Sequence, residues 1–152
     1  MNKYLKQYIK NLKPGKALDL GAGEFKDVKK LIGLGWLAKG VDLKIGIDLN
    51  KIYISESKPY DLVYSCFVLQ FIKNKDTFIK TAYNNLKEGG NFYLLVMHKF
   101  DKQCTSDLTI SSLNILLKNN KFKIISIRLF DHYDADPTHQ HWHKLIEVIA
   151  NK

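Results

Sequence analysis

Apolar positions recur along the chain in two periods, and the switches between them outline the elements. Ala17, Leu18 and Leu20 form a short buried-strand run over residues 16–20, and Val28, Leu31 and Ile32 then fall on one face of a helix over 26–34. Gly33 and Gly35 mark that helix's end. Ahead of them, Tyr4, Leu5, Tyr8, Ile9 and Leu12 give an amphipathic helix over 3–12, closed by the turn residues Pro14 and Gly15. A second strand is expected over 37–42, a third over 45–49, a fourth over 61–65 and a fifth over 91–97. Helices are expected over 76–86, with Asp76 as the N-cap, and over 109–119. The sixth strand is placed at 122–130 and the seventh at 141–150, with the loop 131–138 between them. Strands alternating with helices predict an α/β, Rossmann-like layer structure with a mostly parallel sheet.

Two details refine that picture. Only Leu43 and Lys44 separate the second and third strand segments. A parallel pair needs a crossover of a dozen or more residues. Helix content between strands two and three is therefore reduced, and the third strand is either displaced or part of one irregular element over 41–49. The other detail is the turn Gly21-Ala22-Gly23 between the first strand and its helix. Neither glycine has a Cβ, so the backbone can bend sharply and approach a ligand. Asp42 follows about 20 residues later, the spacing at which an acidic side chain takes a ribose hydroxyl pair.

The order DLGAG, GVDL, GIDL, YDLVYSCFVLQFI and LKEGGNFYLLV resembles that of class I S-adenosylmethionine (SAM) dependent methyltransferases. It is most similar to the small single-domain enzymes of the tellurite-resistance type, over about residues 12–148. The resemblance implies a seven-stranded sheet with an antiparallel last strand, and residues 1–152 as a single SAM-dependent methyltransferase domain. It also implies that Asp19, Gly21, Ala22 and Gly23 lie beside the methionine part of SAM. Asp42 and Leu43 would meet the ribose side, Asp48 and Leu49 the adenine, and Ser65, Cys66 and Phe67 the sulfonium. Phe25 stands where such enzymes often carry a third glycine. A nicotinamide enzyme would need glycine at Lys26 and usually a second domain.

Composition narrows the acceptor. The formal charge is +9 over 152 residues, nearly all of it from scattered lysines, with Arg128 the single arginine. That charge keeps RNA or another nucleic acid as an alternative acceptor. No basic block and no recognition domain stand out, and Ser65-Cys66-Phe67-Val68 occupies the place of the tetrad that methylates base amines in related enzymes. Methyl transfer to a small molecule is the favoured reading, with a SAM-binding protein lacking transfer as a further alternative. Two cysteines, Cys66 and Cys104, give no disulfide framework, and no apolar run suits a membrane span. A cytoplasmic location is expected; the oligomeric state is left open.

All five histidines fall in the second half: His98, His132, His139, His141 and His143. The last three sit at alternate positions, so an extended chain turns them to one side. In the implied topology all five gather at the ligand-binding edge. Three readings stay open. His132, His139, His141 and His143 can ligate a divalent metal. His98, His139, His141 and His143 can serve as catalytic bases or substrate contacts. They can also be ordinary hydrogen-bonded loop residues. Tyr64, Phe100, Tyr133 and Trp142 are candidates for an acceptor pocket or for the core.

Overall fold

A computed structural model describes residues 1–102, 106–135 and 140–152; Cys104, Asp136 and His139 lie outside the described residues. The elements run α1 (Lys3–Ile9), β1 (Lys16–Leu20), α2 (Lys26–Ile32), β2 (Leu37–Val41), β3 (Tyr60–Cys66), α3 (Lys75–Asn85), β4 (Leu86–Met97), α4 (Ile110–Asn119), β5 (Lys123–Asp134) and β6 (His141–Asn151). They build one six-stranded sheet in the order β2-β1-β3-β4-β6-β5. The pairs β1–β2, β1–β3 and β3–β4 are parallel, and β6 runs antiparallel to both β4 and β5.

The antiparallel last strand is present, but the sheet has six strands where seven were expected. The missing one is the third, and local hydrogen bonds explain its loss. Asp42 caps a 3-10 turn over Leu43–Ile45 by accepting from the Lys44 N–H at 2.9 Å. The Ile47 N–H then returns to the Asp42 carbonyl, and Asp48 caps Asn50. Asn50 Oδ1 in turn accepts from the N–H groups of Lys73 and Asn74. These bonds use the groups a ladder would need. In place of the expected third strand, a 3-10 turn at Leu43–Ile45 and an irregular segment lie between β2 and β3. This leaves β2 as an edge strand, which carries Lys39, a common guard against edge pairing.

Side chains alternate across the sheet. On one face Leu18, Leu20, Val63, Phe92, Leu94, Val96 and Ile146 are buried under Phe78, Ile79 and Ala82 of α3 and Leu113 and Leu117 of α4. On the other face Ala17, Leu62, Tyr64, Tyr93, Leu95 and Leu145 lie under Leu5 and Ile9 of α1 and Leu31 of α2. Each fully buried Leu contributes about 1.5–3 kcal/mol. Helix starts are set by short polar caps. Thr109 and Ser112 form a reciprocal capping box at α4. At α3 the cap is Asn74, whose Oδ1 accepts from Thr77 N–H at 3.1 Å, and not Asp76. Asp76 instead binds Lys80 Nζ and Asn120 Nδ2, tying α3 to the end of α4.

Candidate functional site

The turn after β1 is built from backbone. The Gly21 and Ala22 N–H groups both donate to the Val41 carbonyl, at 2.8 and 3.0 Å. Gly23 N–H donates to Asp42 Oδ2 at 2.9 Å. The glycine turn and the β2 carboxylate therefore meet directly. A Cβ on Gly21 would collide with Val68, at a φ of +91° that side chains avoid. Gly40 on β2 is equally constrained: its Cβ would lie 2.5 Å from that of Ala22. Phe25 adopts φ +59°, the left-handed conformation that favours glycine, and its ring packs towards Gly40.

A hollow of about 370 Å³ opens at the carboxyl ends of β1 and β3. Asp19, Gly21, Ala22, Cys66 and Phe67 line it, together with Asn2 and Asp27, which composition and spacing had not singled out. Asp19 is only 5% exposed. Burial pushes its carboxyl up to about 8, the nearby Tyr64 hydroxyl opposes this, and the carboxylates of Asp27 and Asp42 add to it. The Tyr64 hydroxyl is buried and has no regular hydrogen-bond partner among the described residues, although it stands close enough to Asp19 to favour its charge. Tyr64 thus belongs to the core, with its hydroxyl close to Asp19. Asp27 holds the Met1 amino group at 3.2 Å and the Asn2 N–H at 3.3 Å, which brings the start of α1 over the opening. Cys66 is no nucleophile, because burial and the neighbouring Asp19 raise its thiol well above the ordinary range.

Other expected cofactor residues fall outside this lining. Ser65 is fully buried and donates to the Leu20 carbonyl at 2.7 Å, so it braces β1 from behind. Leu49 is packed in the core. Both Asp42 oxygens already accept backbone N–H groups, from Gly23 and Lys44. The Asp48 carboxyl is held below the usual range by the Asn50 backbone N–H and side-chain amide. Leu43 is 72% exposed beside the turn.

The histidines gather on the same edge. His132 pairs with His143 across β5 and β6, with ring centroids 6.4 Å apart, and the His141 ring lies 4.4 Å from His143. His143 Nδ1 lies 3.0 Å from Asp101 Oδ2, which also accepts the Lys144 N–H at 2.8 Å. The His132 ring meets Tyr4, and its Nδ1 lies 3.1 Å from Lys3 Nζ. Burial and then Lys3 lower its pKa. His98 plays a different part: it is 7% exposed and its Nδ1 accepts the Phe100 N–H at 3.2 Å. Burial and then Lys99 and Lys144 lower its pKa. It shapes the turn after β4. Among the described residues no group of three or more His, Cys, Asp or Glu can hold a metal ion. His132, His141 and His143 do not complete one, and His139 lies outside the described residues. The metal expectation has no support here.

A second hollow, also of about 370 Å³, lies beside these imidazoles. Phe100, Asp101, Tyr133, His141, Trp142 and His143 line it, with Lys102 and Lys144 at its margins. Asp101 had drawn no attention in the sequence. Its signal was its place four residues past the end of β4.

No family model and no curated protein matches the sequence. Solved structures do match. A SAM-dependent methyltransferase from Methanosarcina mazei superposes with a TM-score of 0.78 at 16% identity, over 100% of this chain and 98% of that one. TehB from Haemophilus influenzae gives 0.78 at 17% identity, over 100% of this chain but 62% of that one. The fold is that of the class I SAM-dependent methyltransferases. A third match, at 0.72 and 16% identity over 98% of this chain and 75% of that one, is a 1,6-didemethyltoxoflavin-N1-methyltransferase from Burkholderia thailandensis with S-adenosylhomocysteine bound. In this class I methyltransferase fold the β1–α2 turn is intact and the strand beyond β2 is absent.

Proposed function

We propose that the chain is a SAM-dependent methyltransferase acting on a small molecule, with residues 1–152 as one catalytic domain working in the cytoplasm. The observation that carries this reading is the buried, under-compensated Asp19 carboxyl group, with the Tyr64 hydroxyl close beside it. Asp19 lines a hollow at the carboxyl ends of parallel strands, and Tyr64 lies in the core beside it. That donor set fits the ammonium and carboxylate end of the cofactor, and Cys66 and Phe67 offer a less polar wall for its sulfur. When bound, SAM supplies an electrophilic methyl group.

The chain's own residues divide the remaining work. Gly21 and Ala22 keep the turn low enough for close approach, and Asp19 offsets an ammonium charge. Asp42 anchors Gly23 and has lone pairs left for ribose hydroxyls, with Leu43 beside it for an apolar contact. Asp48 stands further out, on the adenine side. His141 and His143 face the acceptor side, where His143 has a carboxylate behind it. The neighbour with didemethyltoxoflavin in its site supports a small acceptor. The net charge of +9 makes RNA the second reading.

Calorimetry with S-adenosylhomocysteine tests the reading. Saturable one-site binding is expected, and methyl transfer is then followed as S-adenosylhomocysteine release across acceptor panels. Heparin retention with a steep salt dependence, together with release driven by RNA alone, would move the acceptor to nucleic acid.

A further inference from the structure

Three large aromatic side chains stand out of the core around the second hollow. Phe100 is 67% exposed, Trp142 65% and Tyr133 44%. Isolated exposed aromatics need no explanation, but three around one opening mark a surface meant to be covered. Tyr133 and Trp142 touch at 5.3 Å between centroids and form one wall. Phe100 is steadied by the His98 ring at 5.2 Å and by Lys99 Nζ at 4.8 Å. The volume of about 370 Å³ is at the small end of ligand pockets and suits a one- or two-ring molecule.

The polar side of the hollow is as specific. The Asp101 side chain is fully buried and His143 is 12% exposed. Strand β4 leaves the ladder after its last bond, from His98 N–H to the Lys144 carbonyl. The chain then turns, and the Asp101 carboxylate returns to accept the Lys144 N–H and His143 Nδ1. A carboxylate on Nδ1 leaves Nε2 as the nitrogen that can take a proton from a ligand. The two hollows share one edge of the sheet. Cys66 pairs with Leu95 on β4, and Met97 pairs with Leu145 on β6. Glu147 therefore lies two strand spacings, about 10 Å, across from Cys66, and His143 stands four residues further along β6, about 16 Å from Cys66. The first turn of α1 bridges the gap, with Asn2 at the first hollow and Lys3 and Tyr4 on His132.

We propose that the second hollow holds the acceptor, that the acceptor is a flat aromatic molecule with an ionisable O–H, and that Asp101 positions His143 to receive its proton. The proposal rests on the methyl-transfer reading above. The acceptor oxygen gives an electron pair to the methyl carbon, and the sulfur keeps the pair of the broken C–S bond. The O–H proton passes to His143 Nε2, and the resulting imidazolium faces Asp101. Lys102 and Lys144 at the margin offset negative charge developing on the oxygen, although Lys144 is shared with Asp131 at 2.7 Å. His143 is the catalytic residue in this scheme and Asp101 the positioning residue.

The test uses the whole chain loaded with S-adenosylhomocysteine, with 4-nitrophenol and 4-methylphenol as probes and cyclohexanol as the non-planar control. Trp36 is buried and Trp142 exposed, so the part of the tryptophan quenching that Trp142→Ala abolishes reports on Trp142. Both phenols should quench and cyclohexanol should not, and Trp142→Ala should weaken phenol binding about tenfold by calorimetry. Turnover is then compared with SAM at mildly alkaline pH, where 4-nitrophenol is already ionised and 4-methylphenol, like tyrosine at about 10, is not. Asp101→Asn and His143→Gln should lower kcat about 100-fold on 4-methylphenol and only slightly on 4-nitrophenol, with KM unchanged on both. Equal losses on the two phenols would reduce Asp101 to a structural brace and overturn the proposal. So would phenols that neither quench nor react, or quenching by a short single-stranded RNA in their place. If S-adenosylhomocysteine itself fails to bind, it is the methyltransferase reading that falls.

Discussion

The two hollows on the sheet edge have about the same volume and are built in opposite ways. The one at β1 and β3 is made of backbone turns and buried acids. Gly21, Ala22 and Gly23 are tied to β2 by their own N–H groups, and Asp19 sits almost without water. The one at β4 and β6 is made of side chains on an open rim: exposed aromatics, imidazoles and lysines. Backbone and buried charge suit a ligand that never changes, whereas an aromatic rim can be recut by single substitutions. The contrast fits a fixed cofactor on one side and a chain-specific acceptor on the other.

Asp19→Asn separates the two halves most strongly. Cofactor affinity should fall by about two orders of magnitude, the worth of a desolvated charge contact. Stability should move the other way. The folded-state pKa of about 8 lies above the ordinary 3.8, so the folded chain holds the proton more tightly. Asp19 is least costly below about pH 4, and its stability contribution is lost as the pH rises towards 8. The Asn variant should match the parent in denaturant melts near pH 4. At pH 9 it should be more stable by on the order of several kcal/mol. A parent that stays as stable as the variant at pH 9 would remove the strained carboxylate from the account.

Gly40→Ala comes next. The new methyl group meets Ala22, Val28 and Phe25, and the cost should be about 1–3 kcal/mol in urea unfolding, with weaker cofactor binding. Asp42→Ala removes the acceptor for both Gly23 and Lys44 N–H, and should cost about 1–2 kcal/mol. It should loosen the first hollow without altering phenol quenching at the second. Trp142→Ala closes the series. It should change stability by less than about 0.5 kcal/mol while weakening acceptor binding about tenfold. A large stability loss there would show that Trp142 is a packing residue after all.

Much of the first hollow was legible because its signals are local. A glycine turn after an apolar run, and an acid at the end of the next strand, show in the order of residues alone. Asp19, Gly21, Ala22, Cys66 and Phe67 line that hollow together. The third strand misled because Ile45 to Leu49 has the look of a strand, while Asp42, Asp48 and Asn50 offer the backbone competing bonds. Those caps are visible only once the chain is folded. Ser65 and Leu49 were misplaced for a related reason, since which side of the strand end faces a ligand depends on packing. The histidine cluster was foreseen from alternation along β6, yet its partner Asp101 was not. A carboxylate that finds its imidazole 42 residues away leaves no periodic trace.

The most direct test of the central claim is titration of the full chain with S-adenosylhomocysteine at pH 7, in two buffers of different ionisation enthalpy. One-site binding is predicted, with release of close to one proton as Asp19 gives up its hydrogen to face the ligand's ammonium, and with that release absent in Asp19→Asn. Silence at millimolar ligand, or binding that Asp19→Asn leaves unchanged in both affinity and proton count, would contradict it.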